Sequence, residues 1–246
     1  MSALPGTTAR RRIYLMRHGF VDYTSQEVID NGDPTRARLT VRGREEARTA
    51  GLALRDVDLD IALSSGLLRT NQTAELVLAE RKSEMTLETE PLFEELRSGQ
   101  YIHFESAAQL ASVMSEQFDR AGEEGATFLP DGELFIDANE RVALGLRRLL
   151  ARPDWATALL VAHEGVNRLI LASILNAPLQ ASTGFEQDTG CINILDFDLA
   201  PHIGGAENRQ VERAVIKATN LTPANYVKNG MNLRSFEAIF ARDHEK

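Results

Sequence analysis

Short apolar runs alternate along the chain with longer segments in which apolar residues recur at helical spacing. The clearest runs are Ile13–Met16, Ile61–Leu63 and Ala158–Ala162, and a turn and a helical pattern follow each of the last two. Continuous apolar runs without polar alternation are typical of strands buried in parallel sheets. The pattern therefore predicts an α/β layer fold with a largely parallel sheet.

Three amphipathic segments predict helices over about 40–54, from about residue 67, and over about 136–150. Their apolar stripes are interpreted as core-forming and are assigned no function. Near the end of the pattern, residues 211–218 predict a last strand in a hairpin with residues 191–197.

One stretch interrupts the alternation of predicted strands and helices, and neither end of the chain continues it. Residues 99–130 contain one predicted helix, about 107–120, and mostly acidic charges. Residues 1–12 lack the apolar region of a signal peptide, and we expect a flexible leader there. The predicted C-terminal helix carries Phe236, Ile239 and Phe240 on one face, which needs either the main body or a second subunit as a partner, so a homodimer stays open.

Composition narrows the class of protein. At 246 residues a single domain is expected, and no apolar run reaches the roughly 20 residues that a transmembrane helix needs, so no membrane partner is expected. The net charge of −9 argues against nonspecific nucleic-acid binding. Because Cys191 is the single cysteine, an intrachain disulfide and a cysteine-rich zinc site are excluded. We expect Cys191 to be a buried, inert thiol, and a single cysteine fits a cytoplasmic location.

Candidate chemistry lies where the predicted strands end. His18 follows the first strand directly, His163 follows the strand at 158–162, and the carboxyl ends of parallel strands share one edge of the sheet. Arg17 offers phosphate oxygens a fork of donors. Arg69 lies in the first turn of a helix, a poor place for a cation unless an anion binds beside it.

These segments, together with Leu92–Gly99, resemble the histidine phosphatase superfamily, whose fold is that of phosphoglycerate mutase. The resemblance runs from about residue 13 to 197. Leu39–Ala47 is similar to the LTxxGxxQA segment of that family, and Gly132-Glu133 with Arg141-Val142 is similar to the segment opening the helix before the second histidine. The resemblance implies one domain over 1–246, a three-layer α/β/α arrangement around a mostly parallel mixed sheet, and a small cap at about 99–130.

A phosphate monoester is doubly charged, so a neutral imidazole is a suitable nucleophile. We therefore expect His18 to form a phosphohistidine, its other ring nitrogen donating to a backbone carbonyl. Arg17, Arg69 and His163 are expected to bind the phosphoryl oxygens, with His163 protonated when the anion is bound. No metal and no cofactor are expected, because three cationic side chains can neutralise the charge and no carboxylate cluster has metal-ligand spacing.

The general acid is expected to be Glu95, a position given by the resemblance, with Glu94 as the competing residue. Gly19 is expected to bind substrate, and so are Glu164 and Gly165 through their backbone N–H groups at the start of the following helix. The side chain of Glu164, which stands where many members of the family have glycine, would repel phosphate. We therefore expect only its backbone to contribute.

The sequence departs from the family in its first loop and leaves the substrate open. Val21 and Thr24 stand where a small hydroxyl residue and an asparagine are frequent, which removes polar groups from that loop. Some aromatic or ring-bearing residues are expected either to line the mouth of the site or to pack between cap and body: Phe20, Tyr23, Tyr101, His103 and Phe104.

The sequence thus predicts a metal-independent phosphatase acting on a small phosphorylated substrate. A phosphoglycerate mutase is the main competing hypothesis, but it needs further basic residues for a second anionic group, and residues 99–130 offer only Arg120. The sequence also leaves open a non-catalytic phosphate-binding protein and a phosphoprotein phosphatase.

Overall fold

The computed structural model describes residues 9–23, 25–99, 109, 112–113, 116–200 and 211–229. The strands in this part of the chain are β1 (Ala9–Arg17), β2 (Ile61–Ser64), β3 (Leu87–Thr89), β4 (Thr157–Ala162), β5 (Ile192–Leu199) and β6 (Val211–Leu221). The α-helices whose bounds lie within the described residues are α1 (Gln26–Asn31), α2 (Val41–Leu54), α3 (Leu68–Ala79), α4 (Phe135–Ala151) and α5 (Glu164–Ile174). Short 3₁₀ turns cover Pro34–Arg36, Pro91–Phe93, Gln117–Arg120 and Leu179–Gly184.

The strands form one mixed sheet in the order β3-β2-β4-β1-β5-β6. The first four strands of this order are parallel, whereas β5 runs antiparallel to β1 and to β6. The register between β1 and β4 pairs Arg17 with Ala162, so both strands end at the same level. This confirms the largely parallel mixed sheet and the final hairpin.

Helices cover both faces of the sheet. Successive residues of β1 alternate between the two sides, as side chains of a strand must. Leu15 packs in a cluster with residues of α4 and α5, and Met16 packs in a second cluster with residues of α2 and α3. The three-layer α/β/α arrangement is therefore confirmed.

The first strand is longer than its apolar run predicted. Arg10 and Arg12 lie in β1, where each guanidinium forms two hydrogen bonds, to Asp198 and Asp196 respectively. The prediction of a flexible leader is therefore wrong for residues 9–12. Opposite charges facing each other across neighbouring strands stabilise a sheet, and the partners here lie on β5, far along the chain.

A small lobe between β1 and α2 was not predicted from the sequence. It contains α1 and the turn at Pro34–Arg36, closed by a buried cluster of Val21, Val28, Ala37 and Leu39. Val21 stands where the resemblance implied a hydroxyl group, and it is part of this apolar cluster, 4% exposed. Its role in the structure is packing.

Several predictions fall on residues outside those described. They are most of the helix at about 107–120, Thr24, the aromatic residues at 101–104, and the apolar C-terminal face. The cap, the single-domain organisation and the homodimer therefore stay predictions. Within the described residues, no helix is both long and apolar enough to cross a membrane.

Candidate active site

His18 lies buried directly after β1, and its two ring nitrogens have different partners. Nδ1 is 2.8 Å from the carbonyl oxygen of Gly19. Because a carbonyl only accepts, Nδ1 carries the proton and donates it. Nε2 accepts a hydrogen bond from Arg69 Nε at 3.2 Å. The imidazole is therefore neutral, with its lone pair on Nε2, and the expected contact to a backbone carbonyl is present.

The backbone after His18 is held by close packing against α2 and α3. A Cβ on Gly19 would lie 2.3 Å from the carbonyl oxygen of Gly43, so only glycine fits. Gly19 N–H donates to Thr73 Oγ1 at 3.0 Å, and Phe20 N–H donates to Glu46 Oε2 at 2.8 Å. In this structure the N–H of Gly19, a predicted substrate-binding residue, thus fixes the loop.

Arg69 is placed by the first turn of α3, as expected, and the residue is 4% exposed. Besides His18, its guanidinium contacts the carbonyl oxygen of Pro34 at 3.5 Å and lies 5.8 Å from the Tyr23 ring centroid. The small lobe therefore contacts Arg69 through Pro34 and Tyr23.

His163 follows β4 and stands at the N-cap of α5, with its ring centroid 5.3 Å from that of His18. Its Nε2 is 2.8 Å from Ser65 Oγ, and that oxygen is 2.9 Å from Thr70 Oγ1. Thr70 donates its single hydroxyl proton to the carbonyl of Leu67 at 2.8 Å, so Ser65 donates to Thr70 and accepts from His163. Nδ1 of His163 then holds the lone pair, and this buried atom has no hydrogen-bond partner among the described residues.

The surroundings keep both imidazoles neutral. Burial, with the nearby Arg69 and Arg17 guanidinium groups, holds the pKa of His18 well below its usual value. Burial is also the main cause that lowers the pKa of His163, and Arg69 and His18 add to it. A bound phosphate dianion would act in the opposite direction, because an opposite charge favours the protonated form.

Glu95 follows the turn at Pro91–Phe93, and its carboxylate is held by two backbone N–H groups. Oε1 accepts from Leu96 at 3.0 Å and Oε2 from Gly165 at 3.4 Å. Burial raises the pKa of Glu95 despite these bonds and the nearby Arg69. The competing residue, Glu94, gives its backbone carbonyl to Arg141 at 2.9 Å. Of the two carboxylates, Glu95 is thus the one held against the first turn of α5.

Arg17 is buried and held from two sides. Its Nη1 donates to the carbonyl of Gln187 at 2.5 Å, and its Nη2 lies 3.0 Å from Glu164 Oε2. The Glu164 side chain therefore points at Arg17, and the expectation that only its backbone contributes to phosphate binding stays a prediction. Arg168, one turn later on α5, holds the other carboxylate oxygen at 2.8 Å.

Sequence reasoning missed some residues that support the site. Ser65 and Gln187 hold His163 and Arg17, and Thr73 holds the loop after His18. Ser65 directly follows β2 at the same sheet edge as the histidines, and this signal could have identified it. Cys191 is buried, as expected, and burial raises its pKa to about 12. Across the described ranges, no three His, Cys, Asp or Glu side chains form a group that could hold a metal ion.

The chain is similar to known proteins both in sequence and in structure. A sequence profile of the histidine phosphatase superfamily (branch 1) matches residues 13–201. Adenosylcobalamin/alpha-ribazole phosphatase of Escherichia coli is 28% identical over 188 residues, which are 76% of this chain and 90% of the relative. "Probable phosphoglycerate mutase GpmB" of an Enterobacter species is 25% identical over 192 residues, 77% of this chain and 86% of the relative.

Among solved structures, the alpha-ribazole phosphatase of Shigella flexneri is similar at a TM-score of 0.62 and 26% sequence identity. The similarity covers 85% of this chain and 96% of that structure. All the candidate site residues, from Arg17 to Gly165, lie inside the matched profile.

Proposed function

This chain belongs to the histidine phosphatase superfamily as a phosphatase, and we propose that it hydrolyses a small phosphomonoester through a phosphohistidine on His18, without a metal ion. The observation that carries the proposal is the state of His18. The bond from Nδ1 to Gly19 leaves the lone pair on Nε2, which accepts from Arg69 at 3.2 Å, and the His163 ring centroid lies 5.3 Å from that of His18.

In the first step, His18 Nε2 attacks phosphorus and the bond from phosphorus to the ester oxygen breaks. The leaving oxygen takes a proton from the Glu95 carboxyl group, whose raised pKa favours the protonated form that an acid needs. Arg17, Arg69 and a protonated His163 balance the charge on the phosphoryl oxygens.

In the second step, a water molecule attacks the phosphohistidine. The Glu95 carboxylate takes a proton from that water, the bond from phosphorus to Nε2 breaks, and inorganic phosphate leaves. The bond from Nδ1 to the Gly19 carbonyl holds the imidazole in one orientation in both steps.

A mutase that moves phosphate within phosphoglycerate remains the second candidate, since one relative carries that name. Arg120 does not support it, because this residue is exposed and paired with Glu123 at 2.9 Å. A binding protein without activity would not need a fixed imidazole tautomer and a carboxyl group of raised pKa in one site. We also infer a cytoplasmic location, which the single buried thiol supports.

The experiment that tests the proposal is hydrolysis of an aryl phosphate in the presence of EDTA by the wild type and by His18→Ala. We expect activity to survive the chelator and to fall at least about a thousandfold in the variant. Circular dichroism establishes that the variant is folded. Loss of activity with EDTA, or activity retained in His18→Ala, would refute the mechanism. Interconversion of 2- and 3-phosphoglycerate faster than phosphate release would favour the mutase.

A further inference from the structure

Four charged side chains of alternating sign form a row that ends at Arg17, and we call them the charge row: Glu186, Arg168, Glu164 and Arg17. Glu186 Oε2 lies 3.2 Å from Arg168 Nη2, which lies 2.8 Å from Glu164 Oε1. The other oxygen of Glu164 lies 3.0 Å from Arg17 Nη2. One carboxylate is therefore shared between two arginines.

Arg168 is held in place by contacts outside the charge row as well as within it. Its side chain is fully buried, and Nη1 donates to the carbonyls of Ser182 at 3.2 Å and Thr183 at 3.1 Å. The guanidinium also lies 5.0 Å from the ring centroid of Phe118. Three segments of the chain thus hold this side chain, and its contacts are separate from His18, Arg69 and His163.

The position of Glu164 has an electrostatic cost for phosphate binding. A carboxylate paired with Arg17 competes with an anion for the same guanidinium, and water screens the competition poorly at 6% exposure. Because Arg168 takes the second oxygen, only part of the carboxylate charge acts on Arg17.

We propose that Glu164 and Arg168 are positioning residues that fix Arg17, set its effective charge, and thereby set how tightly the site holds inorganic phosphate. The inference rests on the proposed function in one respect, that Arg17 binds the phosphoryl group. For a hydrolase, phosphate is the product, so moderate affinity favours its release.

The charge row leads us to expect two changes of phosphate affinity in opposite directions. Arg168→Met removes a positive charge and leaves Glu164 with Arg17 as its remaining arginine partner, so phosphate affinity falls. Adding Glu164→Gln removes the competing negative charge, so affinity returns. A purely structural role for Arg168 would give no such recovery.

The experiment is calorimetric titration with inorganic phosphate of the wild type, Arg168→Met, and the double variant Arg168→Met with Glu164→Gln, at one pH and ionic strength. We expect the Kd for phosphate to rise about tenfold in the single variant and to return to or below the wild-type value in the double variant. Arg152→Met is the control, since Arg152 pairs with Glu88 at 2.9 Å away from the site, and its Kd should not change.

Equal Kd values in the folded variants, or a double variant as weak as the single one, would overturn the proposal. If Arg168→Met does not fold, Arg168→Lys replaces it. Some weakening of phosphate binding is expected because the ammonium lacks the fork of donors, but it should be smaller because lysine keeps the positive charge. Aryl phosphate hydrolysis by the wild type is measured in parallel. If the phosphate affinities follow the predicted order but no hydrolysis is measured, the proposed phosphatase activity is refuted and the proposed role of the charge row is retained.

Discussion

Arg69 donates a hydrogen bond from Nε to Nε2 of His18 across 3.2 Å, so a permanent cation contacts the nitrogen that we propose attacks phosphorus. The bond orients the lone pair and disfavours protonation of the imidazole. As phosphorus approaches, this bond must give way, and the guanidinium can then turn its donors to the phosphoryl oxygens. Arg69 would thus bind Nε2 of His18 before the reaction and the transferred phosphoryl group during it.

Arg69→Gln should therefore change two quantities. The pKa of His18 should rise, although burial still holds it below its usual value, and kcat/KM should fall by about 10²–10³ because a charged donor to the phosphoryl group is lost. An NMR titration of the His18 ring proton and steady-state kinetics measure both. Arg55→Gln, an exposed site at the end of α2, is the control. An unchanged pKa of His18 would contradict the assigned role.

The loss of rate in Glu95→Gln should depend on how readily the leaving group departs without a proton. The acid protonates the departing oxygen, so an alkyl phosphate should lose about 10²–10⁴ in rate, while an aryl phosphate with an acidic phenol should lose much less in the first step. Rates on a series of phosphate esters test this, with Glu94→Gln as the matched control. Equal losses across the series would argue against general acid catalysis by Glu95.

Phosphate binding should take up a proton at His163. Its Nε2–H is given to Ser65, so Nδ1 can donate to an anion only after it gains a proton. Burial disfavours its protonation, and so do Arg69, His18, Arg17 and Arg141, until the bound anion offsets them.

Calorimetry of phosphate binding near pH 8, in two buffers of different ionisation enthalpy, measures this uptake. His163→Gln should lose it. Glu95→Gln should keep it, which separates the histidine from the nearby carboxyl group. Uptake that persists in His163→Gln would place the proton elsewhere.

Stability should decrease in mild acid. The folded pKa values of His18 and His163 lie below 6.5, so the unfolded chain binds more protons as pH falls below 6.5. The free energy of unfolding should therefore drop below that pH, by up to about 1.4 kcal/mol per pH unit for each histidine. Urea unfolding between pH 7.5 and 5.5 tests it, and His163→Gln should show a smaller drop.

Gly165→Ala should reduce activity by displacing Glu95. A Cβ at this position would lie 2.7 Å from Glu95 Oε1 and 2.7 Å from Leu96 Cδ1. The loss should follow the leaving-group pattern of Glu95→Gln, and a thermal melt should show the variant folded. At Gly184, a Cβ would meet no atom within 4 Å, so Gly184→Ala is the matched control and should keep wild-type rates.

Features set by neighbouring positions in the sequence were predicted best. His18 and His163 could be identified because each directly follows an apolar strand, and parallel strands end at one edge. Arg10 and Arg12 could not be placed, because their partners lie on β5, 184 and more positions away. Glu164 is an intermediate case. Its spacing from Arg168 is the helical i,i+4 spacing, whereas its contact with Arg17 depends on the folded sheet.

The pairing of Arg17 with Ala162 in the sheet has an evolutionary consequence. His18 and His163 each come one residue later, so the separation of their backbones follows from the spacing of adjacent parallel strands, about 4.8 Å. Insertions or replacements in the small lobe at residues 20–39 would leave that separation unchanged. Such a scaffold can diversify its substrates by exchanging loops, while its two strand-ending histidines keep a constant geometry.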